Sequence, residues 1–352
     1  MLEFIFDLQM FAAGSLVNAT TAYVNSDTGE TTAFEGANTL SPTMKTFYDT
    51  ALLENARSEL IFAQFGRKQP LPANKGRTVE WRKFNTLPEA KVLQEGVIPT
   101  GEKMGMTVLT ASLEQYGDFV AITDVLELHA VDDMLLGTTE ELGAAAGESK
   151  DKHIRNALVQ NTNVMYCDTV DADGKTTAAT GYNQMSSDNN RLTPRMVNKV
   201  VTWLKKCKAP KINGKYVAII HPSAAFDLRE SPEWIEAHKY SATTEIFEGE
   251  IGELHGVRFV ESTNAKITEQ TLSDGEGMVY TTIFLGKDAY GIIDPEGGSM
   301  EMIIKSKEQA GGPLNQYSTA GYKFEDCTKI LYPERMVLLE SCSEFSKTDT
   351  AN

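Results

Sequence analysis

The sequence predicts an α+β protein whose sheet and helices carry long segments with little core of their own. Three observations predict it. Residues 67–115 are punctuated by prolines and rich in β-formers, about 40 residues from Thr123 onward keep helical apolar spacing, and the last third mixes strand patterns with peripheral helices. The chain has 352 residues, 41% apolar and 23% charged, which is ordinary globular usage and excludes wholesale disorder. That length fits two or three lobes, or one large domain with insertions.

Residues 12–40 are rich in Ala, Thr, Ser, Asn and Gly. They cannot bury enough surface alone to offset the entropy of ordering, so residues 1–40 read as an arm that is loose in isolation and ordered against partners. Ser41 as N-cap with Pro42 at the first helical position starts a helix that Gly66 ends. Pro70, Pro72, Pro88 and Pro99 then mark extended structure. Thr78–Phe84 alternates as a strand, Glu95–Pro99 forms an irregular tip, and Met106–Leu113 returns. The whole is one antiparallel excursion with no evident core, and an isolated two-stranded ribbon is marginal in water. It must lie on something, and in a self-assembling protein that something is the next subunit.

Gly117–Asp124 reads as a short strand ending in a cap, after which Val125, Leu128, Val131, Leu135, Leu142, Ala145, Ile154, Leu158 and Met165 trace a long helix. Gly137, Gly143 and Gly147 soften its middle at about 1 kcal/mol each against Ala. Thr193-Pro194 opens an amphipathic helix with Met196, Val197, Val200, Val201 and Leu204 on one stripe. Lys215–His221 has a buried-strand pattern, and Pro222 starts a short helix through Leu228. Val257–Glu261, Met278–Leu285 and Ala289–Ile293 are further strands, and Tyr322–Thr328 with Met336–Ser341 alternate like a pair.

The chemistry that the sequence offers is sparse. Four cysteines without a CxxC spacing form neither a disulfide framework nor a thiolate zinc site, and a reduced intracellular compartment is expected. None of the five histidines belongs to an HExxH pattern. Asp171-Ala-Asp173-Gly174 fails as a calcium loop, because Thr169 and Thr180 fall where carboxylates are needed. Gly249–Gly256 is glycine-rich, yet its acids would repel phosphate. No catalytic, cofactor or metal residues are assigned, and no enzyme is expected. The first Lys or Arg is Lys45, so the apolar N-terminus is no secretory signal, and no run is long enough to span a bilayer. A soluble cytoplasmic chain without a membrane partner is expected.

Charge is more informative than any motif. With 49 acids against 33 Lys and Arg the formal charge is −16, the wrong sign for a protein that grips nucleic acid in bulk, although local basic patches stay open. Residues 66–91 carry Arg67, Lys68, Lys75, Arg77, Arg82, Lys83 and Lys91 against Glu80 and Glu89. Residues 191–215 carry eight bases and no acid, whereas residues 227–253 carry eight acids against Arg229 and Lys239. Solvated surface is one explanation; complementary patches on neighbouring copies are the other. On the second, Arg67, Lys68, Lys75, Arg77, Arg82 and Lys83 are the candidate inter-subunit contacts.

Several of these stretches, in this order and spacing, carry a family resemblance. They are Phe6–Ala12, Leu71–Trp81, Leu93–Pro99, Tyr116–Asp124, His221-Pro222, Gly249–Gly252 and Gly256–Ser262. The sequence resembles the major capsid proteins of tailed bacteriophages, the family typified by the coat protein of phage N4. The resemblance implies the Hong Kong 97-type capsid fold. Its N-terminal arm would be residues 1–65 and its extended loop 66–115. A peripheral domain with a spine helix would take 116–189 and 319–352, and an axial domain 190–318. It also implies self-assembly into hexamers and pentamers of an icosahedral shell around double-stranded DNA, held without sequence-specific contact. Portal and scaffolding proteins, and a decoration protein, would be partners, with assembly in the host cytoplasm. An encapsulin-like compartment and a soluble enzyme with an unrecognised acidic site are the alternatives.

Overall fold

The computed structural model describes residues 22–24, 31–33, 60–71, 76–84, 101–129, 134–170, 175–239, 250–295, 301–305, 316–346 and 349–352, together with single positions between 87 and 96. Residues 41–59 of the helix predicted from Ser41 to Gly66, the tip residues Glu95 and Val97–Pro99, and the Asp171–Gly174 turn lie outside them. The strands are β1 (Ala22–Val24), β2 (Thr31–Ala33), β3 (Arg67–Leu71), β4 (Thr78–Phe84), β5 (Met106–Ser112) and β6 (Glu114–Thr123). After helices α1 (Asp124–His129) and α2 (Met134–Leu158) come β7 (Val164–Tyr166), β8 (Thr169–Val170) and β9 (Thr176–Thr177). Helix α3 (Pro194–Lys206), β10 (Tyr216–Ile220), α4 (Pro222–Glu230) and α5 (Pro232–Lys239) follow. Strands β11 (Glu250–Leu254), β12 (Val257–Glu261), β13 (Ile267–Leu272), β14 (Gly275–Leu285) and β15 (Tyr290–Pro295) lead to β16 (Glu301–Lys305), β17 (Tyr317–Asp326), β18 (Thr328–Ile330) and β19 (Met336–Ser341). No helix among the described residues is long and apolar enough to cross a membrane.

The chain forms two compact units. The larger comprises Arg57–Gly117, Ala144–Glu301 and Lys323–Asn352, and is built on a mixed sheet ordered β11-β12-β10-β14-β19-β7, with β13 also paired to β14. Both faces of this sheet are covered, and residue parity sorts its side chains between them. Tyr216, Ala218, Ile220, Tyr280, Phe284, Val337 and Leu339 point to a core shared with α3, α4 and Trp234 of α5. Val217, Ile219, Ile283, Leu285, Met336 and Leu338 point to a second core with Ile154 and Leu158 of α2 and with Phe62. The predicted α3 stripe is wholly buried, each large apolar side chain contributing about 1.5–3 kcal/mol.

Turn chemistry fixes the ends of these strands. Asn213-Gly214 (φ 49° and 87°) joins Ile212 to Lys215, and His255-Gly256 (φ 53° and 81°) joins β11 to β12, both positions left-handed as a two-residue hairpin requires. Glycine serves a different purpose at Gly66, where a Cβ would lie 2.6 Å from the Tyr290 ring and 2.7 Å from Ile292 Cδ1. Its bareness lets β3 pair in parallel with β15, Gly291 opposite Arg67. Gly66→Ala should therefore cost about 1–3 kcal/mol through overpacking against two buried side chains, read as a lowered thermal midpoint.

A buried polar cluster holds α2 to this core. Asp151 accepts the Phe62 amide at 2.8 Å, and Arg155 donates to the Asn264 carbonyl at 2.7 Å. The Tyr290 hydroxyl donates to the Phe62 carbonyl. Burial pushes the Asp151 carboxyl up to about 6, against the opposing pull of hydrogen bonds from the Phe62 amide and the Asn264 side chain and of the Arg155 charge.

The smaller unit comprises Met1–Ala56, Asp118–Gly143 and Met302–Tyr322. It includes the antiparallel β1–β2 pair and most of a three-stranded sheet ordered β16-β17-β6.

Several expectations change. Residues 62–66 form a turn and bend, with β3 starting at once afterwards, so Gly66 is a packing position and does not end a helix. Met165 belongs to β7, paired with β19, because α2 ends at Leu158. Tyr322–Thr328 and Met336–Ser341 are not partners: β17 lies in the β16-β17-β6 sheet, and β19 is buried along its whole length between β14 and β7. The strand expected from Gly117 is the last seven residues of the ten-residue β6.

Candidate assembly surfaces

Strands β4 and β5 pair antiparallel from Thr78↔Ser112 to Phe84↔Met106, so directly opposed residues share a face. One face carries Val79 with Ala111, Trp81 with Leu109 and Lys83 with Thr107. It docks on the chain's own body, where Val79 and Trp81 join Leu113, Ile293, Cys327 and Leu331 in a small buried cluster. Gly291 makes the approach possible, since a Cβ there would lie 3.0 Å from Trp81 Nε1. Lys83 Nζ donates to Glu334 at 2.9 Å and lies 4.4 Å from the Tyr332 ring centroid. Burial, the largest single influence, would raise the Glu334 carboxyl, but the Lys83 hydrogen bond, its own backbone amide and the charges of Lys83 and Arg335 together hold it below its usual value. Arg77 and Leu113 close the root reciprocally, the Leu113 amide donating to the Arg77 carbonyl (2.8 Å) and the Arg77 guanidinium to the Leu113 carbonyl (3.0 Å).

The opposite face carries Glu80 with Thr110, Arg82 with Val108 and Phe84 with Met106. Phe84 is 58% exposed and Met106 48%, and Val108, Met104, Leu87 and Val92 are exposed as well. The expectation of a ribbon without a core on its own chain is thus half corrected. The root is anchored at home, and the apolar residues left in water lie on its outer face and toward the tip. A second exposed apolar set, Phe119, Val120, Val125 and Leu128, occupies β6 and α1. Scattered single exposed apolars need no explanation; runs of them mark interaction surfaces.

The six candidate contacts separate accordingly. Arg82 stands on the outer face between Glu80 and Phe84, exposed. Lys83 points inward and is used by Glu334. Arg77 is exposed at the root, Arg67 and Lys68 are exposed at the start of β3, and Lys75 lies outside the described residues. The apolar members of the outer face escaped the charge-based reading, although their alternation with Val79 and Trp81 was the available signal.

Behind the hairpin root is a cleft of about 500 Å³ lined by Thr78, Glu114, Tyr116, His153, Asp326 and Cys327 among others. The Tyr116 hydroxyl donates to Glu114 at 2.7 Å, and its ring lies 3.9 Å from that of His153. Burial, then the Glu114 hydrogen bond, pushes the phenol up to about 12, and burial pushes Cys327 up to about 11. Cys342 rises to about 12 for the same reason, so these thiols stay protonated and unreactive at neutral pH. No group of three or more His, Cys, Asp or Glu among the described residues is placed to hold a metal ion.

The capsid structure of cyanophage Pam1 superposes with a TM-score of 0.65 at 14% identity, covering 89% of this chain and 100% of that one. The capsid structure of cyanophage P-SCSP1u gives 0.62 at 14% identity, covering 86% and 93%. An encapsulin from Synechococcus elongatus gives 0.52 at 9% identity, covering 84% and 92%. No curated protein sequence matches. These likenesses establish a mixed α+β fold shared with phage capsid proteins. The family model described as phage capsid protein matches residues 107–314, more than half of the chain, and the chain belongs to that family.

Proposed function

We propose that this chain is the repeating coat subunit of a tailed-phage head, with the Hong Kong 97-type division of labour. Residues 1–65 would be the arm, 66–115 the extended loop, 116–189 and 319–352 the peripheral domain with α2 as spine, and 190–318 the axial domain. Hexamers and pentamers of the chain tile an icosahedral shell assembled in the host cytoplasm around double-stranded DNA. Portal and scaffolding proteins, and a decoration protein, are further partners. The acidic balance of −16 suits a wall that must not adhere to the DNA it encloses.

The observation that carries this reading is the hairpin. Its inner face is spent on its own chain, while Phe84, Met106 and Val108 stand beside Arg82 on the face turned away. A second copy covering that face would remove this apolar surface from water at about 25 cal/mol per Å². Electron microscopy of the purified protein should reveal closed shells. Phe84→Ser with Met106→Ser should abolish them and leave the circular dichroism of the free chain unchanged, since neither side chain is buried in it. Intact shells from the double variant would refute the reading. An encapsulin-like compartment is the second reading, favoured by the Synechococcus likeness alone. DNA of genome length inside particles from infected cells separates the two.

A further inference from the structure

The helices over one face of the central sheet carry opposite charge at their two flanks. Helix α3 packs its apolar stripe against the core that contains Val337 and Leu339 of β19, while Trp234 of α5 meets Phe259 of β12 edge-on, ring centroids 5.9 Å apart. Between β19 and β12 lie β14 and β10, so the flanks are separated by three strand spacings, about 14 Å. The outer side of α3 presents Arg195, Lys199, Lys205 and Lys206, followed by exposed Lys208 and Lys211. Lys199 is used locally by Asp168 at 2.9 Å, and Arg195 by the Thr176 hydroxyl. Lys205, Lys206 and Lys208 meet no carboxylate among the described residues. In a chain of net charge −16 these cations have no ion-pair partner among the described residues.

The other flank is the reverse. Glu230 ends α4 and Glu233 lies in the first turn of α5, both exposed, while the neighbouring base Arg229 is already paired with Glu261. The same flank has apolar content: Ile235 is 46% exposed on α5, and Phe226 on α4 contacts the 67%-exposed Phe345, ring centroids 5.3 Å apart. Lysine stems lie well on such surface while their ammonium groups reach the surrounding carboxylates.

We infer that the α3 flank of one copy docks on the α4–α5 flank of the next copy, Lys205, Lys206 and Lys208 meeting Glu230 and Glu233 around Phe226 and Ile235. A contact between two different patches of the same chain is heterologous, and repeated about an axis it closes a ring. Opposite charges at the two flanks admit the head-to-tail arrangement and repel head-to-head pairing, which sets register and direction. The inference rests on the shell-forming reading and adds to it which surfaces meet within a ring.

A charge-swap series tests it. Lys205→Glu with Lys206→Glu, and separately Glu230→Lys with Glu233→Lys, should each raise the lowest protein concentration that yields shells by about tenfold at physiological salt. The four changes together should bring it back to within about twofold of the unaltered chain. All these positions are exposed, and circular dichroism of the free chains checks that each variant is folded. Assembly of either double variant at the unaltered concentration, or no recovery in the fourfold variant, overturns the inference. Normal shells from the lysine variant with less DNA retained would also overturn it, assigning the α3 flank to phosphate instead. Absence of shells from the unaltered chain would instead bring down the shell-forming reading itself.

Discussion

Trp81→Ala should release the root of the hairpin, lowering hydrogen-exchange protection of the amides in β4 and β5 by about two orders of magnitude. The indole is 5% exposed and fills the space left open by Gly291, against Ile293, Leu331 and Leu109. Truncating a buried tryptophan costs about 3–5 kcal/mol, because transfer energy is lost and a cavity remains that its neighbours fill incompletely. The loss should appear as local opening, since this cluster is distinct from the cores of the central sheet. Trp81→Phe is the informative control. Trp81 Nε1 has no hydrogen-bond partner among the described residues, so the phenyl ring forfeits volume and none of their polar contacts. Protection in β4 and β5 that is unchanged in Trp81→Ala would mean that the root is not held by this cluster.

Glu340→Gln should stabilise the protein, by an amount that depends on pH. The carboxyl is 3% exposed on β19, opposite Thr281 of β14, whose hydroxyl lies 3.0 Å from each carboxylate oxygen. Burial pushes its pKa up from 4.5 to about 7, and the Thr281 hydrogen bond offsets only part of that. The native state therefore keeps a proton that the unfolded chain gives up near 4.5. Stability from this group is whole below that pH and is lost as pH rises to about 7. At 1.36 kcal/mol per unit, the wild-type protein should lose about 3 kcal/mol relative to the glutamine variant between pH 4.5 and pH 7.5. Denaturant unfolding at the two pH values measures the difference. Asp151 and Asp227, both raised to about 6 chiefly by burial, add the same slope to both proteins and cancel. A gap between wild type and Glu340→Gln that stays constant with pH would contradict the assignment.

What could be read in the sequence follows the range of the forces involved. Helix α3 announces itself because its stripe and its Thr193-Pro194 start are local, and β10 because Tyr216–Ile220 is apolar throughout, as a strand covered on both faces must be. The same signal was present in Val337-Leu338-Leu339. That continuous apolar run marks Met336–Ser341 as an interior strand, not an alternating partner of Tyr322–Thr328. Pairing was not legible. That β3 lies beside β15 depends on Gly66 meeting Tyr290 and Ile292, more than two hundred residues away in sequence.

The candidate contacts show the same limit. Alternation places Arg82 and Lys83 on opposite faces of β4, yet which face turns inward is decided by Gly291 and by Glu334 and Tyr332. Composition marks this hairpin as basic and so points to its charges as the contacts. The fold leaves Phe84, Met106 and Val108 as its unspent surface, with Arg82 among them.

Hydroxyl-radical footprinting, comparing the free chain with assembled particles, reads the fate of that surface on unmodified side chains. Phe84 and Met106 should oxidise readily in the free chain and at least several-fold more slowly after assembly, while Trp81 stays protected in both. Equal rates at Phe84 and Met106 in the two states would mean that no neighbour covers the hairpin's outer face, and the coat-subunit account built on it would be wrong.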